Sequence, residues 1–487
     1  MKKSPESTSL VHINKEKVGF FRFKELKGKY LVTNDSGCYL FLTKPEFKKF
    51  IQGKLDKKSS TYKNLQANNF IKDDADLGKS IEICQQRNVF LFQGPSLHIV
   101  VVTLRCNYNC VYCQASSRGI GAKGMDMDKK TARAVVNTIF QSPSKDITIE
   151  FQGGEPLLNW PIVRFIVELA EQKNRKAKKN LFISLVTNLS LMDGEKHAYL
   201  VKHSISICTS LDGPESLHNA NRPFAEGDSY RATTAWIKKI KAREKKDSSL
   251  YKLGALVTIS KYSLKYPKDI VDEYRKWGFY GVHLRPLSLL GLSGKFKNSI
   301  GYSVPDFLKF WEKAMDYIIG LNLKGKFFYE RGSAIMLRKI MGDLDPNFLD
   351  LRSPCGAGIG QILYNYDGKV YTCDEGRMLG EDTFILGNVL KHSYKELVSH
   401  PNLRVVCQAS ILENSACDYC AYKPYCGVCP VLNYALYGDL FAPGPDNYQC
   451  QLHMGMLDYL FDKLQNKKVR GVFEKWMGLK KSNRKIS

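Results

Sequence analysis

This 487-residue sequence has no apolar run long enough to cross a bilayer, since a spanning helix needs about 20 apolar residues. The strongly apolar stretch from His98 to Leu104 is far too short, and no apolar segment follows the charged start from Met1 to Glu6. Internal repeats and low-complexity tracts are missing as well. We therefore expect a globular cytoplasmic protein rather than a membrane-bound or exported one.

Acidic residues are scarce relative to basic ones, 48 against 73, which gives a formal net charge of +25. Such an excess would suit an acidic partner, nucleic acid included. However, lysines concentrate around residues 176–179, 238–246 and 463–485, at predicted helix ends or in the terminal segment, where solvated surfaces are typical. No nucleic-acid-binding module accompanies them, so we do not expect a nucleic-acid partner.

Cysteine, in contrast, is plentiful, and a reducing cytosol argues against pairing the fourteen cysteines as disulfides. Such a compartment favours thiolates that bind metals. Most of the cysteines fall into two groups, described below. Cys38, Cys84 and Cys208 stand alone, and we interpret them as buried or idle thiols.

Residues from about His98 to Leu287 alternate between short β-branched runs and longer amphipathic segments, the pattern of consecutive βα units. The predicted strands are His98–Leu104, Ile147–Gln152, Leu181–Asn188, Ser204–Leu211, Leu253–Ser260 and Tyr280–Pro286. The predicted helices include Met127–Gln141, Trp160–Lys173, Tyr230–Lys246, Leu264–Trp277 and Val304–Leu323. Six such units predict an α/β fold with a parallel sheet, a partial (β/α)6 barrel rather than a closed eight-fold one.

Two further units flank this barrel, which we place at residues 96–325. Residues 1–95 predict a small α+β domain. Its elements are the strands Phe20–Phe23 and Tyr30–Thr33 and the helices Pro45–Ile51 and Thr61–Ile71. Residues 326–465 contain a linker helix and an irregular stretch rich in Cys, Gly, Pro and Tyr, which indicates a fold held by metal. Residues 466–487 are expected to form a basic tail.

The first cysteine group is C-x3-C-x2-C, formed by Cys106, Cys110 and Cys113 directly after the first predicted barrel strand. Three soft thiolates so close together can bind three irons of a cubic cluster, and no fourth ligand follows nearby. One iron is then open to an exogenous ligand, as in a catalytic metal site. The alternative is a structural zinc loop without its fourth residue, or buried thiols.

This triplet resembles the signature of the radical S-adenosylmethionine (SAM) superfamily, in which the open iron of a 4Fe-4S cluster chelates the methionine part of SAM. The resemblance implies that Tyr112, just before the last cysteine, contacts the adenine. Phe151-Gln-Gly-Gly-Glu-Pro resembles the G-G-E-P motif, in which the backbone of Gly153 and Gly154 and the side chain of Glu155 face the SAM ammonium group. Glycine suits a strand end where the backbone must approach a ligand closely.

Two later strand ends carry further parts of the same resemblance. Thr187 and Asn188 resemble the T-N-G motif near the ribose, with Leu189 in place of the glycine. Ser210-Leu-Asp-Gly-Pro, followed by Arg222, is similar to a segment of the subfamily that acts on peptides, which implies that Ser210 and Arg222 also bind SAM. Arg222 can bind a carboxylate through two parallel hydrogen bonds, the alternative being a surface ion pair.

The second cysteine group lies in the irregular region and consists of Cys355, Cys373, Cys417, Cys420, Cys426, Cys429 and Cys450. Seven cysteines exceed what one tetrahedral zinc can bind, so two metal centres are implied, with paired zinc sites as the alternative to iron–sulfur clusters. The arrangement resembles the SPASM extension of peptide-modifying radical SAM enzymes. That resemblance implies two auxiliary 4Fe-4S clusters, and therefore three clusters in total.

The same resemblance divides the cysteines between the two auxiliary clusters. Cys355, Cys373 and Cys429 would hold the first, whose fourth ligand is Cys407, substrate or solvent. Cys417, Cys420, Cys426 and Cys450 would hold the second, although the usual C-x3-C ending is shortened here to C-x2-C. Asp374 matches a position that accepts a proton in sulfatase-maturating relatives, and a base is useful where a substrate radical loses a proton. The alternative for Asp374 is a solvated loop carboxylate.

Across its length the chain most resembles the His-Xaa-Ser system radical SAM maturases of the B type, on the run from Cys417 to Pro430 and on Phe20-Phe-Arg-Phe. This implies a peptide or small-protein substrate with repeated His-Xaa-Ser triplets and a second radical SAM enzyme as partner. An electron donor such as flavodoxin or ferredoxin is also expected. The N-terminal unit is similar to winged-helix modules that bind leader peptides as an added strand.

The predicted function is thus reductive cleavage of SAM to a 5′-deoxyadenosyl radical, followed by modification of a peptide. Two alternatives stay open. One is a radical SAM enzyme that modifies RNA, which the positive charge invites, and the other is a non-enzymatic iron–sulfur or zinc scaffold. Salt-dependent binding of tRNA would favour the first, and the second predicts no cleavage of SAM.

Overall fold

The computed structural model describes residues 13–73, 75–295, 297–442, 444–445 and 447–478. Its strands are β1 (Arg22–Leu26), β2 (Lys29–Thr33), β3 (Tyr39–Thr43), β4 (Leu97–Thr103), β5 (Arg105–Cys106), β6 (Arg118–Gly119), β7 (Asp146–Gly153), β8 (Asn180–Val186), β9 (Ser206–Ser210), β10 (Gly254–Thr258), β11 (Gly281–Val282), β12 (Leu284–Arg285), β13 (Tyr329–Glu330), β14 (Gln361–Tyr364), β15 (Lys369–Tyr371) and β16 (Ile385–Asn388). Its α-helices are α1 (Lys44–Ile51), α2 (Ser60–Ala67), α3 (Leu77–Arg87), α4 (Lys129–Ile139), α5 (Trp160–Ala177), α6 (Gly194–Lys202), α7 (Glu215–Asn221), α8 (Ser229–Lys246), α9 (Pro267–Lys276), α10 (Gly291–Lys295), α11 (Lys297–Ile300), α12 (Val304–Leu323), α13 (Arg331–Met341), α14 (Asp374–Leu379), α15 (Tyr394–Val398), α16 (Pro401–Ala409), α17 (Pro430–Tyr437), α18 (Tyr448–Leu464) and α19 (Lys467–Trp476). Within these ranges, none of the helices combines the length and apolarity that a membrane span requires.

Six parallel strands form the centre of the molecule and lie side by side in chain order, β4, β7, β8, β9, β10 and β12. This confirms the predicted α/β class and parallel sheet. The alternation of residues in β7 shows how the sheet faces differ. Ile149 and Phe151 are fully buried in the main hydrophobic core, whereas Glu150 and Gln152 on the opposite face are only partly buried.

The sixth predicted strand, Tyr280–Pro286, is divided in the structure. Its first part, β11, pairs with β13 outside the main sheet, and only β12 pairs with β10. The carboxylate of Glu330 accepts a hydrogen bond from the Leu284 N–H at 3.1 Å. Because this donor binds a side chain at the junction, one continuous ladder does not form there.

The N-terminal unit contains an antiparallel sheet of order β1-β2-β3 with α1 and α2 packed near it. The sequence pattern missed β3 and α3. Thr43 ends β3 and begins α1 through a capping box with Glu46, so strand and helix follow without a loop. Side-chain ion pairs connect the unit to the C-terminal region, among them Lys24 with Asp458 at 2.7 Å.

The cysteine-rich region continues the main sheet. β14 pairs in parallel with β4, and β15 and β16 add antiparallel strands beyond it. Helix α18 packs against α12 and buries Leu457, Leu460 and Phe461. This region therefore shares the main hydrophobic core with the barrel, in addition to its cysteines, which the irregular composition did not indicate.

The segment predicted as a basic tail begins with a helix, α19. Its buried residues are Val469, Val472, Phe473 and Trp476. Their helical spacing makes α19 amphipathic, and the basic residues between them concealed this in the composition. Residues 479–487 of the predicted tail lie outside the described residues, as do residues 1–12 of the N-terminal unit.

Candidate active site

The residues predicted to bind SAM lie at the carboxyl ends of neighbouring parallel strands, where ligand sites of α/β folds form. The loop with Cys106 follows β4, and β7 ends at Gly153. Thr187 comes directly after β8, and Ser210 is the last residue of β9. Since these strands are neighbours in the sheet, the fold brings the four predicted motifs to one edge.

The glycines after β7 allow its end to contact the backbone that precedes the cysteine loop. Gly153 has a φ of +147°, and the Gly154 N–H donates to the Thr103 carbonyl at 2.9 Å. A Cβ atom at position 154 would lie 2.0 Å from the carbonyl oxygen of Arg105. A side chain here would therefore displace the backbone next to Cys106, which explains why glycine is needed.

We expect Gly154→Ala to weaken SAM binding at least tenfold, which corresponds to about 1.4 kcal/mol. The added methyl group pushes the backbone at Arg105 and so moves the cysteine loop. Isothermal calorimetry of the anaerobically reconstituted protein measures the loss. Gly121→Ala is the matched control, because a Cβ atom there meets open space. Wild-type affinity in Gly154→Ala would contradict the assignment of this turn to the SAM site.

Glu155 is buried and links the ends of two strands. Its carboxylate accepts hydrogen bonds from the Thr187 hydroxyl at 2.7 Å and the Asn188 N–H at 2.8 Å. Burial raises the pKa of Glu155, and these hydrogen bonds oppose the rise. The Asn188 amide donates in turn to Asn107 of the cysteine loop at 2.9 Å. The motif residues thus form one hydrogen-bonded unit.

Leu189, which replaces the glycine of the T-N-G motif, keeps a left-handed backbone with a φ of +67°. That conformation costs a leucine roughly 1–2 kcal/mol. Its side chain is fully buried in the hydrophobic core, which offsets the cost. The chain therefore retains the backbone conformation that glycine would adopt there.

Cys106 ends β5, the short strand after β4, and Cys110 and Cys113 follow in the next loop; none of the three forms a disulfide. Burial, together with nearby Glu155 and the other two thiols, raises the pKa of Cys106 to about 12. Burial likewise raises the pKa of Cys110 to about 11, and Cys113 contributes. The three sulfur atoms therefore lie within electrostatic range of one another, and a cationic centre is needed to hold Cys106 and Cys110 as thiolates.

Tyr112 and Arg222 meet inside the site. The Arg222 guanidinium donates to the Tyr112 hydroxyl at 2.9 Å, and this hydroxyl donates to Asp212 at 2.5 Å. All three side chains are buried, so Arg222 does not form the surface ion pair that was the alternative. Within the described residues, Arg222 Nε is buried without a hydrogen-bond partner, as expected of a group that binds a polar ligand.

Ser210 and His218 frame the loop that follows β9. Ser210 is partly buried at the strand end. His218 is buried, and its Nδ1 accepts a hydrogen bond from the Asp212 N–H at 3.3 Å. The contact orders the loop that carries Asp212.

The second cysteine group forms two sets in space. In the first, burial raises the pKa of Cys373 and of Cys429; Cys355 contributes to both shifts, and Cys429 also contributes to that of Cys373. Cys407 lies within electrostatic range of Cys355. The sulfur atoms of Cys373 and Cys429 cap α14 and α17 and accept backbone N–H groups at 3.3 and 3.5 Å. Donors of this kind stabilise thiolates.

The other set consists of Cys417, Cys420, Cys426 and Cys450. Burial raises the pKa of Cys426 to about 12, and its three companions contribute. The Cys426 sulfur also lies 3.4 Å from Nδ1 of His453. The division into two sets coincides with the ligand sets that the resemblance implies.

The spread of these thiols can be compared with what a cluster needs. In the part of the chain that the structure describes, no three His, Cys, Asp or Glu side chains converge as they would around one metal ion. A 4Fe-4S cluster requires a wider arrangement, because each thiolate binds a different iron of the cube. Sets of partly or fully buried thiols within electrostatic range of one another fit that requirement in donor type and arrangement.

Asp374 lies where the barrel meets the second cysteine group. It accepts a hydrogen bond from the Gln361 amide at 2.9 Å and is partly buried, unlike the solvated carboxylate that was the alternative. Burial raises the pKa of neighbouring Glu375 far above its usual range, and the charge of Asp374 contributes. Burial also tends to raise the pKa of Asp374. Hydrogen bonds from Glu375 and Gln361 and the charge of Arg285 outweigh this effect and hold the pKa of Asp374 below its usual value. Asp374 is therefore the ionised member of the pair.

Further polar residues, which no sequence motif indicated, lie on the strands of the barrel. Arg285 of β12 lies 3.2 Å from the Gln114 oxygen when that amide is oriented for hydrogen bonding. Glu150 of β7 accepts hydrogen bonds from Gln152 at 2.7 Å and from Ser184 at 3.1 Å. Alternation of polar and apolar residues along the predicted strand would have indicated Glu150 and Gln152 as residues of one face.

The sequence is similar to a known protein family and to proteins of known activity. The sequence profile of the radical SAM superfamily matches residues 100–278. A cysteine-type anaerobic sulfatase-maturating enzyme of Clostridium perfringens is 25% identical over 386 residues, which cover 76% of this chain and 97% of the relative.

Two solved structures show a similar fold. The native anSMEcpe with bound AdoMet and Kp18Cys peptide has a TM-score of 0.65 at 21% identity, covering 77% of this chain and 99% of its own. SuiB of Streptococcus suis, bound to the precursor peptide SuiA, has a TM-score of 0.54 at 15% identity, covering 91% and 100%. At such identities the likeness establishes the fold.

Proposed function

We propose that this radical SAM enzyme is a maturase that modifies a peptide or small protein after cleaving SAM. The observation that carries the proposal is the convergence of the cysteine triplet, the Gly153-Gly154-Glu155 turn and Arg222 at one edge of the domain that matches the radical SAM superfamily. One relative is named a sulfatase-maturating enzyme, and two structural neighbours hold a peptide. These likenesses support a peptide as the substrate class.

In this proposal Cys106, Cys110 and Cys113 would hold a 4Fe-4S cluster. When bound, that cluster supplies the electron that cleaves SAM to methionine and a 5′-deoxyadenosyl radical, which takes a hydrogen atom from the substrate. The chain's own residues orient SAM. Glu155 has acceptor capacity left for the ammonium group, because a carboxylate can accept about four hydrogen bonds and the chain itself donates three.

The opposite side of the site would hold the rest of the SAM molecule. Arg222 has a buried N–H group available for the carboxylate, and the Tyr112 ring lies beside it for the adenine. Thr187 and Asn188 lie at the neighbouring strand end, near the proposed ribose position, and Ser210 lies at the next one. Enclosure by these groups would exclude water from the reacting atoms.

Asp374 is proposed as the base that takes a proton from the substrate radical. The same radical would pass one electron to an auxiliary cluster, so the substrate loses one hydrogen atom, one proton and one electron in total. Asp374 is suited to this role because it directly follows Cys373 and lies near Arg285, which favours its ionised form. Cys355, Cys373, Cys429 and Cys407 would surround the nearer cluster.

The finer proposal is a substrate with His-Xaa-Ser repeats that docks on the N-terminal unit, with a second radical SAM enzyme as partner. Flavodoxin or ferredoxin would supply electrons in the cytoplasm. The test is mass spectrometry of a synthetic His-Xaa-Ser repeat peptide after anaerobic incubation with reconstituted enzyme, SAM and dithionite. We expect a mass change together with 5′-deoxyadenosine.

A peptide with alanine in place of each histidine is the matched control and should remain unmodified. Modification of both peptides would contradict the His-Xaa-Ser specificity while leaving peptide maturation intact. Modification of tRNA, with both peptides unchanged, would replace the proposal by the RNA alternative.

A further inference from the structure

We propose that Lys339 and His453 set the reduction potential of the cluster held by Cys417, Cys420, Cys426 and Cys450. The inference rests on the proposed function, because it requires that this set binds a 4Fe-4S cluster. It concerns residues outside the SAM site and assigns them a role in electron transfer.

Both residues reach Cys426 from different helices. Lys339 lies in the last turn of α13, and its ammonium group donates to the Cys426 carbonyl at 3.2 Å. His453 lies in α18, one turn beyond Cys450, and its Nδ1 is 3.4 Å from the Cys426 sulfur. Two polar groups therefore converge on one ligand of the proposed cluster.

The charged side chains around Lys339 balance its positive charge only in part. Cys426 and Asp345 favour its positive charge, whereas Arg87 and Arg352 oppose it. Asp345 already forms an ion pair with Arg352. Lys339 is partly buried, and an ammonium group withdrawn from water in this way costs stability unless an anion lies near it. A 4Fe-4S cluster with four thiolate ligands has a net negative charge and would be that anion.

Reduction adds one negative charge to such a cluster. A neighbouring cation and a hydrogen bond to a ligand sulfur stabilise the reduced form more than the oxidised form, so both raise the reduction potential. Lys339 would act through its charge and His453 through a ring N–H directed at Cys426. The cluster would then accept an electron more readily than one without these neighbours.

A purely structural role for Lys339 makes a different prediction. Lys339 lies at the carboxyl end of α13, where a cation also interacts favourably with the helix dipole. Loss of that interaction would lower the stability of the protein and leave the potential of the cluster unchanged. Measurement of the potential therefore separates the two roles.

The experiment compares full-length reconstituted wild type, Lys339→Met, Lys339→Arg and His453→Leu by redox titration monitored with electron paramagnetic resonance. We expect Lys339→Met and His453→Leu each to lower the midpoint potential of the cluster held by Cys417, Cys420, Cys426 and Cys450. Lys339→Arg keeps the positive charge and should keep the wild-type potential. Arg338→Met is the matched control, because Arg338 is an exposed neighbour in the same helix. Its potentials should equal those of wild type.

Iron content separates failure of the inference from failure of the proposed function. Unchanged potentials in Lys339→Met and His453→Leu at full iron content would overturn the inference alone. Selective loss of one cluster from Lys339→Met, with retention in Lys339→Arg, would support the role of the charge. A wild-type protein with iron for fewer than three clusters, and no cluster signal that is lost in Cys420→Ala, would overturn the inference together with the second auxiliary cluster, whereas a protein that forms no 5′-deoxyadenosine would overturn the proposed function itself.

Discussion

The combined variant Cys106→Ala, Cys110→Ala and Cys113→Ala is expected to form no detectable 5′-deoxyadenosine from SAM. These thiols form the set next to Glu155 and the strand ends, so no other cysteine set can present an open iron to SAM at that edge. Iron content should fall by about a third, from about twelve to about eight atoms per chain, because the auxiliary sets remain. Chromatography with mass detection measures the nucleoside, and a colorimetric assay measures iron.

Cys38→Ala combined with Cys84→Ala is the control for loss of cysteine as such. Both residues lie outside the three thiol sets, so SAM cleavage and iron content should equal those of wild type. Persistent cleavage in the triple variant would contradict the radical SAM assignment of this loop. Loss of all iron from the triple variant would instead show that the auxiliary sets depend on the first.

The strand-end motifs could be predicted from the sequence because each is a local pattern. The cysteine triplet lies within one loop, and Gly153-Gly154-Glu155 follows an apolar alternation that marks a strand. Parallel strands in chain order bring such ends together without any further information. The sequence therefore predicts which residues lie at the carboxyl edge of the sheet. It does not predict the hydrogen bonds between them.

The partners of Asp374 show why the rest of the site could not be predicted. Gln361 comes from β14, and Arg285 comes from the short sixth strand of the barrel. They meet because β14 pairs with β4 and extends the sheet beyond the barrel. A strand of four residues in a cysteine-rich stretch gives no periodic signal, so neither the pairing nor the position of Asp374 followed from sequence.

Asp374→Asn is expected to continue cleaving SAM but to form about 10²- to 10⁴-fold less modified peptide, the usual range for loss of a general base. Hydrogen abstraction requires only the cluster and SAM at the strand ends, whereas the base is needed in the following step. Asparagine has nearly the same shape as aspartate but cannot accept a proton. The amounts of 5′-deoxyadenosine and of modified peptide are measured in one anaerobic assay with the His-Xaa-Ser repeat peptide proposed above.

Asp382→Asn is the matched control, because Asp382 is an exposed carboxylate on the next turn of the same region, and it should keep the two products coupled. Asp374 directly follows Cys373, so the substitution could disturb a cluster. The iron content of Asp374→Asn must therefore equal that of wild type for the loss of modified peptide to be assigned to the base. Equal loss of both products would assign Asp374 to substrate binding or to the structure of the site, because a residue needed only after hydrogen abstraction cannot slow the cleavage of SAM. Coupled turnover at the wild-type rate would show that another group takes the proton, and the partly buried Asp350, whose pKa burial raises to about 6, would be the next residue to test.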